Sequence, residues 1–553
     1  MRRFVIIFVL VGVLVGPQSG VLAQGRRGGS SSAAAAASAR QGAEQITAEQ
    51  MRDYLTFIAA DEMEGRDTPS RGLDLTAKFL AVQLSRWGFR PAGDGGTFFQ
   101  KIALRRERVD MGQSRVEIDG QVFKPGTDFI AFAPGGTVSL NGPVVFGGNG
   151  WLIKSRNMDA YRGLDVKDKI VVIASPDGLP KGVSQRDLTG TRGVDWDDPA
   201  AYAQKRGARA LLAIPDSQII NNWERVRQRV MGRTLATPEK FRGPEMQLAR
   251  IIISPRMADA LFQGEARTSA AISEGVATGS SVAPFELSAT KRVNLNIAAE
   301  RQTINTQNVV AVLEGSDPVL KNEYVAVGAH YDHVGTGTPV NGDSIYNGAD
   351  DDGSGTTAIL AMAEALAKTS SRPKRSILLI WHCGEEKGLW GSRYFVENPT
   401  VPLAQIVTQL NIDMIGRSRR AGDTNPANRD LSGPDEIYVI GSKMMSTELG
   451  QLSERVNRNY LNLTFNYKYD DPNDPERFFF RSDHYNYAQK GIPIIFYFDG
   501  VHEDYHRPGD EVSKIDFRKM VRVTRTIYAT LREIANAPAR PRVDKQLPGE
   551  LRN

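Results

Sequence analysis

The chain has 553 residues, a formal net charge of +5, 41% hydrophobic and 24% charged residues. That balance excludes wholesale disorder, collagen and coiled coil, and the length suggests two to four domains of roughly 100–200 residues each. So mild a charge, with no long basic run, predicts no nucleic-acid partner, and the single cysteine, Cys383, excludes an internal disulfide.

Met1-Arg2-Arg3, the apolar run Phe4 to Gly16 and the small-x-small triplet Val21-Leu22-Ala23 read as a signal peptide over 1–23. The run is shorter than the ~20 residues of a membrane span, and no cysteine follows for a lipid anchor. An exported protein, periplasmic or secreted and without a stable membrane anchor, is the expectation. Residues 24–44 are a low-complexity spacer.

Order is expected over 45–115, the first part of the main domain. Thr47 and Gln50 form a T-x-x-Q capping box, with Met51, Tyr54, Leu55 and Ile58 at helical spacing behind it. Leu73, Ala77, Leu80, Leu84 and Trp87 mark a second helix closed by Gly88. From 116 to 290 short β-rich runs alternate with Gly, Pro and Asp, and the stretch holds no histidine or cysteine. Strands are expected at 166–175 and 210–214, with a helical stretch near Pro199–Arg206. From 291 to 540 apolar strands alternate with helices, which predicts an α/β fold. Its mixed, largely parallel sheet is sandwiched by helices, with polar residues past the strand ends as the site-forming positions. Residues 541–553 form a tail.

All six histidines and Cys383 lie between His330 and His506. Five strand-end motifs stand out in that window. His330 is followed by Asp332, a carboxylate able to accept the second imidazole N–H. Asp350-Asp351-Asp352 crowds three carboxylates that repel unless a cation holds them. An EF-hand loop would need glutamate at its twelfth position, where Ala361 stands, and Ser354 lacks the frame of a nucleophile elbow. Glu385-Glu386 follows an apolar strand, Asp413 ends another, and His506 stands in Tyr505-His506-Arg507-Pro508-Gly509-Asp510. Nitrogen and oxygen ligands without a cysteine pair suit zinc. The absence of H-E-x-x-H disfavours a thermolysin-like site and leaves a two-metal hydrolase centre as the better fit.

In order, HYDH, GADDDGSG, CGEEKGLWGS, NIDMIG and YHRPGDE resemble the co-catalytic di-zinc exopeptidases, peptidase family M28. That group takes in bacterial leucyl aminopeptidases, aminopeptidase Y and the glutamate carboxypeptidase type. The resemblance covers 45–115 and 291–540, and GLDVKDKIVVIAS with AAYAQKRGARALLAI resembles an inserted protease-associated domain. It implies two Zn2+ per chain, one held by His330 and Asp413, the other by Glu386 and His506, with Asp351 bridging. Asp332 would support His330, Glu385 would be the general base, and Tyr505 would stabilise the oxyanion.

The expected activity is removal of residues from peptides with a free N-terminus. A carboxypeptidase or glutaminyl cyclase on the same scaffold, or a non-catalytic receptor, are the alternatives. Arg417, Arg419, Arg420 and Arg481 are the basic residues a carboxypeptidase could use. His484 is a candidate substrate contact, His333, His382 and His502 read as structural or rim residues, and Cys383 as packing. Loops at 416–436 and 465–481 are expected to build the pocket. Oligomeric state is not legible.

Overall fold

The computed structural model describes residues 40–133, 135–174, 178–232, 235–241, 248–278 and 282–546. The expected signal peptide, most of the spacer and the end of the tail lie outside these. The chain is already helical at residue 40, with Ala43 and Ile46 fully buried, so order begins before the boundary read from composition. Two compact units divide the chain: the first takes residues up to Gln100 and again from Asn308, the second Lys101–Gln307.

The first unit is a mixed α/β domain. Its helices are α1 (Ala48–Ile58), α2 (Arg71–Arg86), α3 (Gly353–Lys368), α4 (Trp390–Glu397), α5 (Thr447–Asn459), α6 (His484–Gln489) and α7 (Phe517–Asn536). Its strands are β1 (Ala299–Leu313, which enters from the second unit), β2 (Tyr324–His330), β3 (Ser376–His382), β4 (Ile406–Ile412), β5 (Glu436–Ile440), β6 (Thr464–Asn466) and β7 (Ile494–Phe498). The strands run in the order β1-β3-β2-β4-β7-β5-β6. The central four are mutually parallel, while β1 and β5 join antiparallel at β3 and β7.

Strands β3, β4 and β7 are buried along their whole length and β2 from Val325 onward, as their largely apolar sequences require of a sheet covered on both faces. The capping box forms as read: the Thr47 hydroxyl accepts from the Gln50 N–H, and the Gln50 side chain returns to the Thr47 N–H. Gly88 closes α2 at φ +74°. In α7, successive turns bury Met520, Val523, Ile527, Leu531 and Ile534. No helix among the described residues is long and apolar enough to cross a membrane.

The second unit is not purely β-rich. Its larger sheet has four parallel strands flanked by antiparallel edges, and Pro199–Lys205 and Pro255–Phe262 are among its helices. Ala210–Ile214 is a strand as read, and Ile170–Ala174 falls within the expected one. The unit is wider than 116–290 because Val293–Ile297 pairs with Arg115–Ile118 and Val138–Gly142, which draws both flanks into it.

Candidate active site

The four parallel strands deliver the chemistry at their carboxyl edge. Strand β2 ends on His330, β3 on His382 just before Glu385 and Glu386, β4 one residue before Asp413, and β7 in the segment leading to His506. Main-chain hydrogen bonding is satisfied up to these positions, so the residues beyond can aim side chains into the crevice. The Asp350–Asp352 loop comes in ahead of α3. Asp352 caps that helix, accepting from the Gly355 N–H at 2.9 Å and from the Met414 N–H at 3.1 Å. A β-carbon on Gly355 would fall 2.5 Å from the Asp352 carboxylate and 2.6 Å from the Ile412 carbonyl, which explains a glycine there.

Two donor clusters form. In the first, ligand atoms of His330, Asp351 and Asp413 lie within 4.8 Å of one another. His330 Nε2 stands 3.3 Å from Asp351 Oδ1 and 3.5 Å from Asp413 Oδ1. The second holds His333, Asp351 and Glu386. His506 Nε2 joins it, 3.1 Å from Asp351 Oδ2 and 3.0 Å from Glu386 Oε2. Asp351 therefore presents one oxygen to each cluster.

Asp351 Oδ2, Glu386 Oε1, His333 Nδ1 and His506 Nε2 are buried without a hydrogen-bond partner of acceptable geometry among the described residues. Groups so placed cost free energy unless something binds them, and nitrogen and oxygen donors in this number suit zinc. The electrostatics agree. Burial, with the carboxylates of Asp413 and Glu386, pushes the Glu385 carboxyl well above its usual range against the pull of His330. Burial also raises Asp413. It would raise Asp351 too, but His333, His330 and His506 hold that carboxyl well below the ordinary value. His506 is pushed up to about 10 despite burial, because Asp351 and Glu386 face it. Here protons on imidazole compensate the acids, a task a divalent cation performs once bound.

Asp332 supports the site differently from the expectation. His330 Nδ1 lies 3.1 Å from the Asp332 main-chain carbonyl and 3.8 Å from its carboxylate. The carboxylate instead accepts the Glu385 N–H at 3.2 Å, which ties the β2 and β3 loops together. Burial pushes its own carboxyl up to about 7.

His333, read as structural or rim, is wholly buried with Nδ1 3.0 Å from Glu386 Oε1. His484 also departs from its reading. It is fully buried, its Nε2–H donates to the Phe479 carbonyl at 2.8 Å, and its ring stacks on Phe496 at 4.4 Å. It underlies the cavity wall and does not line it. His382 is structural, with Nε2 3.0 Å from the Tyr487 hydroxyl and Nδ1 3.4 Å from Asp483. His502 sits 3.3 Å from Asp350. Cys383 is buried, its N–H donating to Asn308.

A cavity opens onto the clusters, lined by Asp351, Glu385 and Asp413 and by Phe478, Phe496, Phe498 and Tyr505 among others. Tyr505 stacks on His506 with ring centres 3.9 Å apart, and burial drives its hydroxyl pKa upward, so it stays protonated. Of the two expected pocket loops, only residues from the end of 465–481 line this cavity. Arg419, Arg420 and Arg429 of 416–436 line a separate groove of the same unit.

Sequence reasoning also missed Arg66. Fully buried in the first unit, it donates to the carbonyls of Ile58 (2.9 Å), Asn347 (2.6 Å), Gly348 (2.8 Å) and Tyr331 (3.0 Å). It thus clamps the loops that carry His330 and Asp351. Nothing in Glu64-Gly65-Arg66-Asp67 marks it out, because its four acceptors come from three separate segments of the chain.

A largely parallel sheet whose carboxyl edge bears two donor clusters sharing one carboxylate is the layout of a metal-dependent α/β hydrolase. Residues 308–531 match the family model of peptidase family M28, and the domain they span belongs to that family. Leucine aminopeptidase 2 of Trichophyton rubrum is 27% identical over 296 residues, 48% of this chain and 53% of that protein. A probable zinc metalloprotease of Pyrenophora teres f. teres is 32% identical over 270 residues, 43% and 53% of the two chains. The chain spans about half the length of these curated relatives. Among solved structures, an aminopeptidase from Aneurinibacillus sp. strain AM-1 superposes with a TM-score of 0.49 at 16% identity, covering 92% of this chain and 98% of that one.

Proposed function

We propose that the protein is an exported zinc aminopeptidase holding two zinc ions per chain. The observation that carries this reading is Asp351, which faces both donor clusters while Glu385 stands beside them, 4.0 Å from His330 Nε2. His330 and Asp413 would hold one ion, Glu386, His506 and His333 the other, with Asp351 between. Zinc bound there would supply Lewis acidity and lower the pKa of a bound water toward about 7.

The chain's own residues do the rest. Glu385 accepts the proton of the attacking water and passes it to the leaving amine. The Tyr505 hydroxyl, protonated and facing the cavity, donates to the oxygen on which negative charge develops. The apolar wall at Phe478, Phe496 and Phe498 excludes water from the acyl side. Export rests on the pattern of residues 1–23, and the reading of Lys101–Gln307 as a protease-associated module rests on its two quoted phrases.

The test is hydrolysis of leucine, alanine and lysine p-nitroanilides beside N-blocked peptides, with and without a chelator. Chelator-sensitive cleavage restricted to free N-termini is expected. Chelator-insensitive cleavage, or equal cleavage of blocked peptides, would overturn the reading.

A further inference from the structure

Four arginines fall near the candidate site in sequence, and the structure separates them. Arg417 is committed within the fold, with Nη2 2.9 Å from Asp504 and Nη1 3.8 Å from Asp510. Arg419 donates to the carbonyls of Arg429 and Asp423. Arg420 lines the other groove. Arg481 alone of the four lines the cavity that opens onto the donor clusters.

Among the described residues no carboxylate pairs with Arg481. Its guanidinium lies over the Phe478 ring, 4.5 Å from the ring centre, an arrangement that holds the plane and leaves the N–H edges available. The backbone beneath is fixed on both sides. The Arg481 N–H donates to the Phe478 carbonyl at 3.1 Å, and the Ser482 hydroxyl accepts from Asn411 at 2.9 Å. Asp351, Glu385 and Asp413, the other charged groups of the cavity, belong to the donor clusters or stand beside them. Apart from the Tyr505 hydroxyl the remaining wall is apolar, including Met414, Phe496, Phe498 and Val501. A molecule filling this space meets one guanidinium as well as those carboxylates, and a planar fork of N–H donors is suited to a carboxylate.

We infer that Arg481 binds a carboxylate of the substrate, so that the enzyme favours peptides carrying a negative group close to the scissile bond. This rests on the peptidase reading above. The carboxylate has two possible sources, the C-terminus of a dipeptide or an acidic side chain. A charge-assisted contact of this kind is worth roughly 10–100-fold in affinity.

The experiment measures binding by calorimetry to the zinc-loaded full chain carrying Glu385→Gln, with and without Arg481→Gln or Arg481→Lys. Leu-Gly against Leu-Gly amide tests the terminal carboxylate, and Glu-Gly amide against Gln-Gly amide tests the side chain. At least tenfold tighter binding of the acidic member of one pair is expected, lost with Arg481→Gln and partly kept with Arg481→Lys. Equal binding within both pairs, or a preference that survives Arg481→Gln, would overturn the inference. A parallel turnover assay of the unaltered chain keeps the two readings apart. A carboxylate preference without hydrolysis of any of the four peptides would overturn the peptidase reading and leave the binding role of Arg481 standing.

Discussion

The carboxylate of Asp510 accepts the backbone N–H of Asp351 at 3.0 Å. It also accepts the N–H of Asp350, so one buried side chain from the segment after β7 sets the position of the residue shared by both donor clusters. Asp510→Ala leaves those N–H groups without an acceptor. The expected result is about 1–3 kcal/mol lower stability and at least tenfold weaker zinc binding, as seen for lost supports of metal ligands. Denaturant titration and chelator competition measure the two. Unchanged zinc affinity would show that the loop holds its shape alone.

Glu385 and Glu386 are adjacent but predicted to do separable work. Glu385→Gln should retain zinc and lose about 10²–10⁴ of turnover, the scale of a removed general base. Glu386→Gln should lose zinc from one position, since both its oxygens stand 3.0 Å from an imidazole nitrogen. Zinc content and kcat on one preparation distinguish them, and the reverse pattern would exchange their roles.

The three histidines at the clusters are expected to divide between the ions. His330→Ala should weaken one zinc, while His333→Ala and His506→Ala should both weaken the other. Chelator titration with a two-site fit reads this directly. Loss of the same ion in all three variants would contradict two clusters.

His484 predicts an acid sensitivity. Burial lowers its pKa from 6.5 to about 3, so between those values the unfolded chain binds a proton that the folded chain does not. Stability then falls as pH drops from 6.5 toward 3 and is flat above, and at pH 4.5 the loss is about 2–3 kcal/mol. His484→Gln removes this contribution. The stability gap between wild type and variant should narrow by that amount from pH 7 to 4.5 in denaturant titrations, and a gap independent of pH would refute it.

Much of the first unit could be read in advance because its strands are continuous apolar runs and the reactive residues sit immediately past them. His330, Asp413 and Glu386 were legible for that reason. Strand β6 and helices α5 and α6 were not, being short or partly polar and dependent on tertiary neighbours. His333 reads as a structural or rim residue from sequence, because only the fold shows that the turn after β2 carries it to Glu386. His484 goes the other way. Its motif lies beside Arg481, yet the first turn of α6 points the ring inward against Phe496.

The clamp formed by Arg66 has a consequence for biogenesis. Its acceptor at Gly348 lies 282 residues further along the chain, with the entire second unit made in between. At about 5–20 residues per second of synthesis, Arg66 waits roughly 15 s to a minute for its partners. Throughout that interval α1 and α2 expose apolar faces whose sheet does not yet exist. The nascent amino-terminal segment thus carries unpaired apolar faces for that interval, and the length of the second unit sets how long they stay unpaired.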